Sequence, residues 1–218
     1  MAEGYKTDDE QAEAIKKWLR ENGSALLTGI MLGLAALFGG KAWMQYQEQQ
    51  SMAASNLYAQ LSNAVSRGEA AAATSAHETL LNEYAGSSYA VLAALQIARL
   101  QLDEDKPEAA LAQLQWAYER AGDGPLKHTA RARLARLYID QGELERVRAL
   151  LDEVTDRGSY AVIYHELEGD LAMAREDYAA ARTAYQAALA AYPDDLPGRS
   201  LLEAKRDDAA RVGGEGAA

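Results

Sequence analysis

Histidines and carboxylates are the residues of this sequence that could do chemistry. The chain has three histidines and no cysteine. His165 is followed by Glu166 and Glu168, and imidazole with carboxylates is a donor set of zinc sites and of acid–base catalysts. A zinc-binding helix needs a second histidine four residues away, and His77 and His128 lie elsewhere in the chain. We therefore interpret the cluster around His165 as a solvated helix surface.

Other catalytic signatures are also missing from the sequence. It has no G-x-S-x-G nucleophile motif and no glycine-rich phosphate loop. Because cysteine is absent, a thiol nucleophile and a disulfide framework are excluded. We expect no enzyme, no cofactor, no metal and no small-molecule substrate, so the function should rest on contacts with other macromolecules or with membranes.

The amino-acid composition limits the possible partners of the protein and indicates its fold class. The chain has 22 basic and 33 acidic residues, for a formal net charge of −11. Nucleic acid is not an expected partner, because phosphate backbones are bound by basic surfaces. Alanine is the most frequent residue and β-branched residues are few, which favours helices over strands. The sequence predicts an all-α protein.

One membrane-spanning helix is predicted near the N-terminus. The run from Asn22 to Gly40 carries no charge. As a helix, about 19 residues at about 1.5 Å each cover a hydrocarbon core of about 30 Å. Trp18 before the run and Trp43 and Tyr46 after it are amphipathic rings that favour the membrane interfaces. The long acidic lead before the run argues against a cleavable signal peptide.

The flanks of the span predict its orientation. Lys41 is the one basic residue that closely follows the span, whereas four precede it: Lys6, Lys16, Lys17 and Arg20. Since basic flanks stay in the cytoplasm, we expect a cytoplasmic N-terminus and, in a bacterial inner membrane, a periplasmic C-terminal domain. The lead is amphipathic, so membrane lipid is an expected partner.

Small residues recur along the predicted span and form what we call the small-residue seam: Ala25, Gly29, Gly33, Ala36 and Gly40. Small residues four positions apart let two membrane helices approach closely, so the seam is a candidate packing face for another membrane helix. Membrane helices are also generally rich in glycine, and the sequence leaves this alternative open.

The region after the span repeats itself every 34 to 37 residues or so. The clearest unit has Gly169 in a first helix and a turn at Glu176-Asp177. Its second helix carries one apolar stripe: Tyr178, Ala181, Tyr185 and Ala188.

Three earlier units have the same form, with turns at Gly68, Asp105 and Gly142. The stripe of the second helix in the third unit is Leu144, Val147, Leu151 and Val154. This pattern resembles a tetratricopeptide array. The resemblance implies a right-handed α-solenoid of about four helical hairpins with a concave face.

The predicted domains are a cytoplasmic amphipathic lead (1–21), a transmembrane helix (22–43), a periplasmic repeat domain (44–212) and a disordered tail (213–218). In arrays of this type the first helix of each hairpin lines the concave face. Helical periodicity nominates these residues for a binding face there: Leu95, Arg99, Leu102, Arg136, Ile139, Glu166, Asp170 and Met173. The alternative, left open, is that Leu95, Ile139 and Ile163 belong to the core between repeats.

The whole chain resembles the YfgM family of Gram-negative inner-membrane proteins. The features that carry the resemblance are the EAIKKWLRENG lead, the glycine-rich span, the W-x-x-Y after it and the LAQLQ of the second unit. The resemblance implies an ancillary subunit of the SecYEG translocon, often found with the membrane-anchored chaperone PpiD. Its role would be to link emerging secretory polypeptides to periplasmic chaperones.

Two other functions remain open at this point. The concave face could bind unfolded clients directly, as a holdase does, because Leu95, Leu102 and Met173 are apolar. The cytoplasmic lead could instead act in signalling, and deleting residues 2–20 would separate that function from periplasmic contacts.

Overall fold

The computed structural model describes residues 8–193 and 197–215. These residues form helices without strands, so the all-α prediction is confirmed. The helices are α1 (Asp8–Ser66), α2 (Ala70–Glu83), α3 (Ser88–Asp103), α4 (Pro107–Arg120), α5 (Pro125–Asp140), α6 (Leu144–Asp152), α7 (Ala161–Ala174), α8 (Tyr178–Ala190) and α9 (Arg199–Glu215). A short 3₁₀ helix, Gly158–Tyr160, precedes α7.

The chain divides into two compact units, Met1–Ala53 and Ala54–Ala218. Within the described residues, one helix, Glu10–Ser66, is long and apolar enough to cross a membrane, with a mean hydropathy of 1.7 in its most apolar window and no burial there. The predicted limits at 21/22 and 43/44 fall inside α1 rather than at helix ends, so they stay predictions. Residues 1–7 of the predicted lead lie outside the described residues.

Four helical hairpins follow in order: the end of α1 with α2, α3 with α4, α5 with α6, and α7 with α8. Each predicted turn contains one residue in the left-handed region, with φ of 71° at Gly68, 60° at Asp105, 73° at Gly142 and 61° at Glu176. In each case the next N–H donates to a carbonyl five residues back, at 2.8 to 2.9 Å. This bond ends a helix and reverses the chain, so one local device makes all four turns.

Alanine-rich faces pack the hairpins closely. Ala110, Ala117, Ala130 and Ala135 are fully buried in the largest core cluster. A backbone without a large side chain lets a neighbouring helix approach, and leucines and tyrosines then fill the remaining space. The fold class is therefore that of a tetratricopeptide-like array.

The third hairpin departs from the predicted pattern. α6 ends at Asp152, so the prediction that Val154 lies on that helix is wrong. A tight turn follows α6, in which the Val154 N–H donates to the Leu151 carbonyl at 3.1 Å. Val154 still packs against the core, because the turn keeps it on the buried side of the chain.

The C-terminal helix also differs from expectation. α9 runs to Glu215, so residues 213–215 of the predicted disordered tail are helical, and residues 216–218 lie outside the described residues. Gly213 lies so close to Tyr178 of α8 that a Cβ on this glycine would be 2.9 Å from the Tyr178 Cβ. This packing explains why the helix continues through two glycines, which favour disorder in an exposed chain.

Candidate partner-binding groove

A surface cavity of ≈ 410 Å³ lies among α3, α4 and α5, and we call it the α3–α5 groove. It brings together four of the predicted concave-face residues: Leu95, Arg99, Leu102 and Arg136. Its other lining residues were not predicted from the sequence: Ala98, Leu114, Arg133, Leu137 and Asp140. The groove thus has an apolar floor and a charged rim.

Helix geometry places these side chains. The Ser87 side chain accepts a hydrogen bond from the Ala90 N–H at 3.2 Å, and α3 begins at the next residue, Ser88. Positions three and four apart then share one face of each helix. On α5 that spacing joins Arg133, Arg136, Leu137 and Asp140, a pattern that could have revealed Arg133 from the sequence.

The rim arginines have unequal partners. Arg99 pairs with Asp103 on its own helix at 2.9 Å, and both side chains are more than half exposed. Arg133 donates to the Leu95 carbonyl at 3.1 Å. Arg136 reaches Glu166 at 3.4 Å. The rim is therefore cationic and only loosely neutralised.

The other two apolar candidates for the concave face, Ile139 and Met173, lie outside the groove. Ile139 and Ile163 are partly buried against the largest core cluster, and Leu95, which lines the groove, is 3% exposed and belongs to that cluster. Met173 is partly buried against the cluster that joins α8 and α9.

Glu166 and Asp170 belong to an ion-pair network that we call the Lys205 cluster. Lys205 of α9 reaches Glu166 at 2.7 Å and Asp170 at 2.8 Å, and the Tyr185 hydroxyl donates to Asp170 at 2.8 Å. Burial works to lower the pKa of Lys205, but hydrogen bonds and charge from the two carboxylates outweigh it and raise that pKa. Burial and the neighbouring Asp170 also raise the pKa of Tyr185. These carboxylates serve the docking of α9.

Comparison with known proteins identifies the family. A family model described as a tetratricopeptide repeat-like domain matches residues 16–211. The ancillary SecYEG translocon subunit of Escherichia coli K12 is 31% identical over 173 residues, which cover 79% of this chain and 82% of that protein. The chain belongs to the ancillary SecYEG translocon subunit family. No solved structure matches it significantly.

Two further members of the ancillary SecYEG translocon subunit family are similar over most of their length. The Haemophilus influenzae protein is 28% identical over 81% of this chain and 86% of its own. The Neisseria gonorrhoeae protein is 26% identical over 81% of this chain and 86% of its own. The YfgM resemblance drawn from the sequence is confirmed.

In this family member, the small-residue seam occupies one side of α1. At 100° per residue its five positions fall within about 80° of the helix circumference. Leu27, Met31 and Phe38 project from other sides and are 63%, 65% and 69% exposed. A Cβ added at Gly29, Gly33 or Gly40 would meet nothing within 4 Å, so the seam is open to a second helix.

The cluster around His165 is an ion-pair site. His165 Nδ1 lies 3.0 Å from Glu168, which also pairs with Arg157. Burial works to raise the pKa of Glu168, but the bonds and charges of Arg157 and His165 lower it. Within residues 8–193 and 197–215, no group of three or more histidine and acidic residues could hold a metal ion.

Proposed function

We propose that this protein is a membrane-anchored scaffold that associates with the SecYEG translocon and links emerging secretory polypeptides to periplasmic chaperones such as PpiD. The observation that carries the proposal is the similarity to proteins named ancillary SecYEG translocon subunits over about four-fifths of the chain. A tetratricopeptide-like domain supports it, because stacked hairpins present extended surfaces for protein partners.

The proposed topology has a cytoplasmic N-terminus and a periplasmic repeat domain. The apolar part of α1 is unburied, as a lipid-facing segment requires. Lys16, Lys17 and Arg20 precede it and Lys41 follows it, so the basic flank is heavier on the N-terminal side. This arrangement would anchor the chain in the bacterial inner membrane with the groove on the side where secretory polypeptides emerge.

The small-residue seam is the proposed contact with a translocon helix. Its test is recovery of SecY with the tagged full-length protein, solubilised in a gentle detergent. The double variant Gly29→Leu, Gly33→Leu fills the seam and should reduce SecY recovery severalfold, because helix backbones could no longer approach.

The matched control adds bulk to another side of α1. Leu27→Phe with Leu34→Phe keeps the seam and should leave SecY recovery unchanged. Full recovery of SecY by the seam variant would reject the seam as the contact. In the same pull-down, recovery of PpiD with the wild-type protein tests the chaperone link.

A holdase is the second candidate, and the α3–α5 groove is the observation that favours it. Leu102 is 40% exposed over an apolar floor, where an unfolded client could bind. Full-length protein in nanodiscs should then suppress aggregation of a denatured secretory protein, and Leu102→Gln should weaken that suppression. Unhindered aggregation at several-fold molar excess would reject the holdase.

A further inference from the structure

The α3–α5 groove carries a charge opposite to that of the protein. The chain has a net charge of −11, yet three of the nine residues that line the groove are arginines and one is acidic. Arg99 is already paired with Asp103, so Arg133 and Arg136 are the cations that could serve a partner. A local cationic site on an acidic protein favours an anionic ligand.

Arg133 is held in position without an ionic partner. Its Nη1 donates to the Leu95 carbonyl at 3.1 Å, which fixes the guanidinium across the groove from α5 to α3. Among the residues that the structure describes, no carboxylate lies within ion-pair distance of Arg133. A guanidinium has five N–H donors, so this contact leaves others for a ligand.

Arg136 shares its carboxylate with a closer cation. Glu166 lies 3.4 Å from Arg136 but 2.7 Å from Lys205. The Arg136 side chain is 46% exposed, so it can turn toward a second anion without a large desolvation cost. The Lys205 cluster would still neutralise Glu166 after such a change.

The floor of the groove is apolar and ends at an exposed leucine. Leu95, Leu114 and Leu137 lie below, and Leu102 at the rim is 40% exposed. Leu102 and Leu201 are the large apolar side chains exposed in the part of Ala54–Ala218 that the structure describes. The ≈ 410 Å³ of the groove suits a few side chains rather than a folded domain.

We propose that the α3–α5 groove binds a polypeptide segment that combines apolar and acidic side chains. An apolar side chain of the segment lies on Leu102 at the edge of the apolar floor, while a carboxylate of the segment accepts hydrogen bonds from Arg133 and Arg136. Guanidinium and carboxylate match in shape and charge, which selects acidic segments over basic ones. This inference rests on the proposed scaffold function and adds the chemistry of the segment that the scaffold holds.

The test measures binding of labelled peptides to the full-length protein in phosphatidylcholine nanodiscs, with empty nanodiscs as the blank. The probe is a short fluorescein-labelled peptide with leucines at helical spacing and glutamates between them. Two comparison peptides replace the glutamates by lysines or the leucines by serines. We expect the leucine–glutamate peptide to bind most tightly, and its binding to weaken as salt rises.

Variants assign the contact to the groove. Arg133→Gln should weaken binding of the leucine–glutamate peptide roughly fivefold to tenfold, and adding Arg136→Gln should weaken it further. Leu102→Gln removes the apolar contact and should also weaken binding. Arg182→Gln is the matched control, because Arg182 is an exposed arginine on α8 outside the groove, and it should bind like the wild type.

Three results would overturn the inference. They are equal binding of the lysine peptide, unchanged binding by the double arginine variant, and an equal loss in the Arg182→Gln control. Circular dichroism of each variant shows whether the fold is retained, and exposed Leu102→Gln remains informative if an arginine variant unfolds. Peptide binding reports on the groove and SecY recovery reports on the anchor, so failure of one proposal is distinguishable from failure of the other.

Discussion

At the scale of single residues, a glycine allows α7 and α8 to approach each other closely. Gly169 of α7 lies directly against the ring of Tyr185, which is 2% exposed and bonded to Asp170. A Cβ on Gly169 would overlap that ring. The ring cannot move aside cheaply, because it is almost fully buried and its hydroxyl is bonded to Asp170.

Gly169→Ala should therefore destabilise the protein by about 1–3 kcal/mol through overpacking. Thermal unfolding followed by circular dichroism measures the change. Gly214→Ala is the control, since a Cβ there would meet nothing within 4 Å and alanine favours the helix. Equal unfolding temperatures for the Gly169→Ala variant and the wild type would contradict the expectation and show that the Tyr185 ring can move aside.

We expect two histidines to make the stability of the protein depend on pH. Burial lowers the pKa of His77 and His128 below the ordinary 6.5, and the charge of Arg131 lowers that of His128 further. Below pH 6.5 the unfolded chain therefore binds protons that the folded chain does not bind, so the free energy of unfolding falls as pH falls. For His77 the loss at about pH 5.5 is at most about 1.4 kcal/mol.

Thermal unfolding between about pH 7.5 and 5.5 should show this loss. The window lies above 4.5, where Glu168, whose pKa is lowered, is charged in both the folded and unfolded states. His77→Gln with His128→Gln should flatten the profile. A wild-type profile that is flat over this window would contradict the expectation.

At the scale of elements, Lys205 links α9 to two carboxylates of α7. Lys205 lies between Glu166 and Asp170, whose side chains are 21% and 17% exposed. Removing the cation would leave Asp170 without a cationic partner and Glu166 with only the more distant Arg136, at 3.4 Å. Like charges four residues apart on a helix repel each other.

Lys205→Met should cost about 1–3 kcal/mol of stability, because it breaks a largely buried charge pair. Arg206→Met is the control, since Arg206 pairs with the adjacent Asp207 at a more exposed position. Urea unfolding of the two variants gives the comparison. If Lys205→Met lowers the free energy of unfolding no more than Arg206→Met does, apolar packing rather than Lys205 holds α9 in place.

At the scale of the whole molecule, the membrane topology can be tested by cysteine labelling without background from native thiols. The chain has no cysteine, so a single introduced thiol reports on one position. Glu13→Cys lies before the proposed span, and Asp123→Cys lies in the exposed loop between α4 and α5. A membrane-impermeant maleimide applied to cells with a permeabilised outer membrane should label Asp123→Cys alone. Labelling of Glu13→Cys instead would reverse the orientation.

Local sequence patterns predict the helices and turns of the repeat domain. The four turns at Gly68, Asp105, Gly142 and Glu176 follow from breaks in helical periodicity, and each adopts the same reversal. Helix formation and chain reversal depend on neighbours within about five residues, which is why a linear pattern predicts them. The apolar run of α1 could also be predicted, because it is a continuous stretch of sequence without charged residues.

The candidate site needed the tertiary structure. Helical periodicity predicted that Leu95, Leu102 and Arg136 lie on inner helix faces. It could not predict that Glu166 forms an ion pair with Lys205, which is 39 residues away. Nor could it show that Arg133 would lie across the groove on the Leu95 carbonyl. Ion pairs and cavities depend on the distance between elements far apart in sequence, and that distance is set only when the hairpins pack.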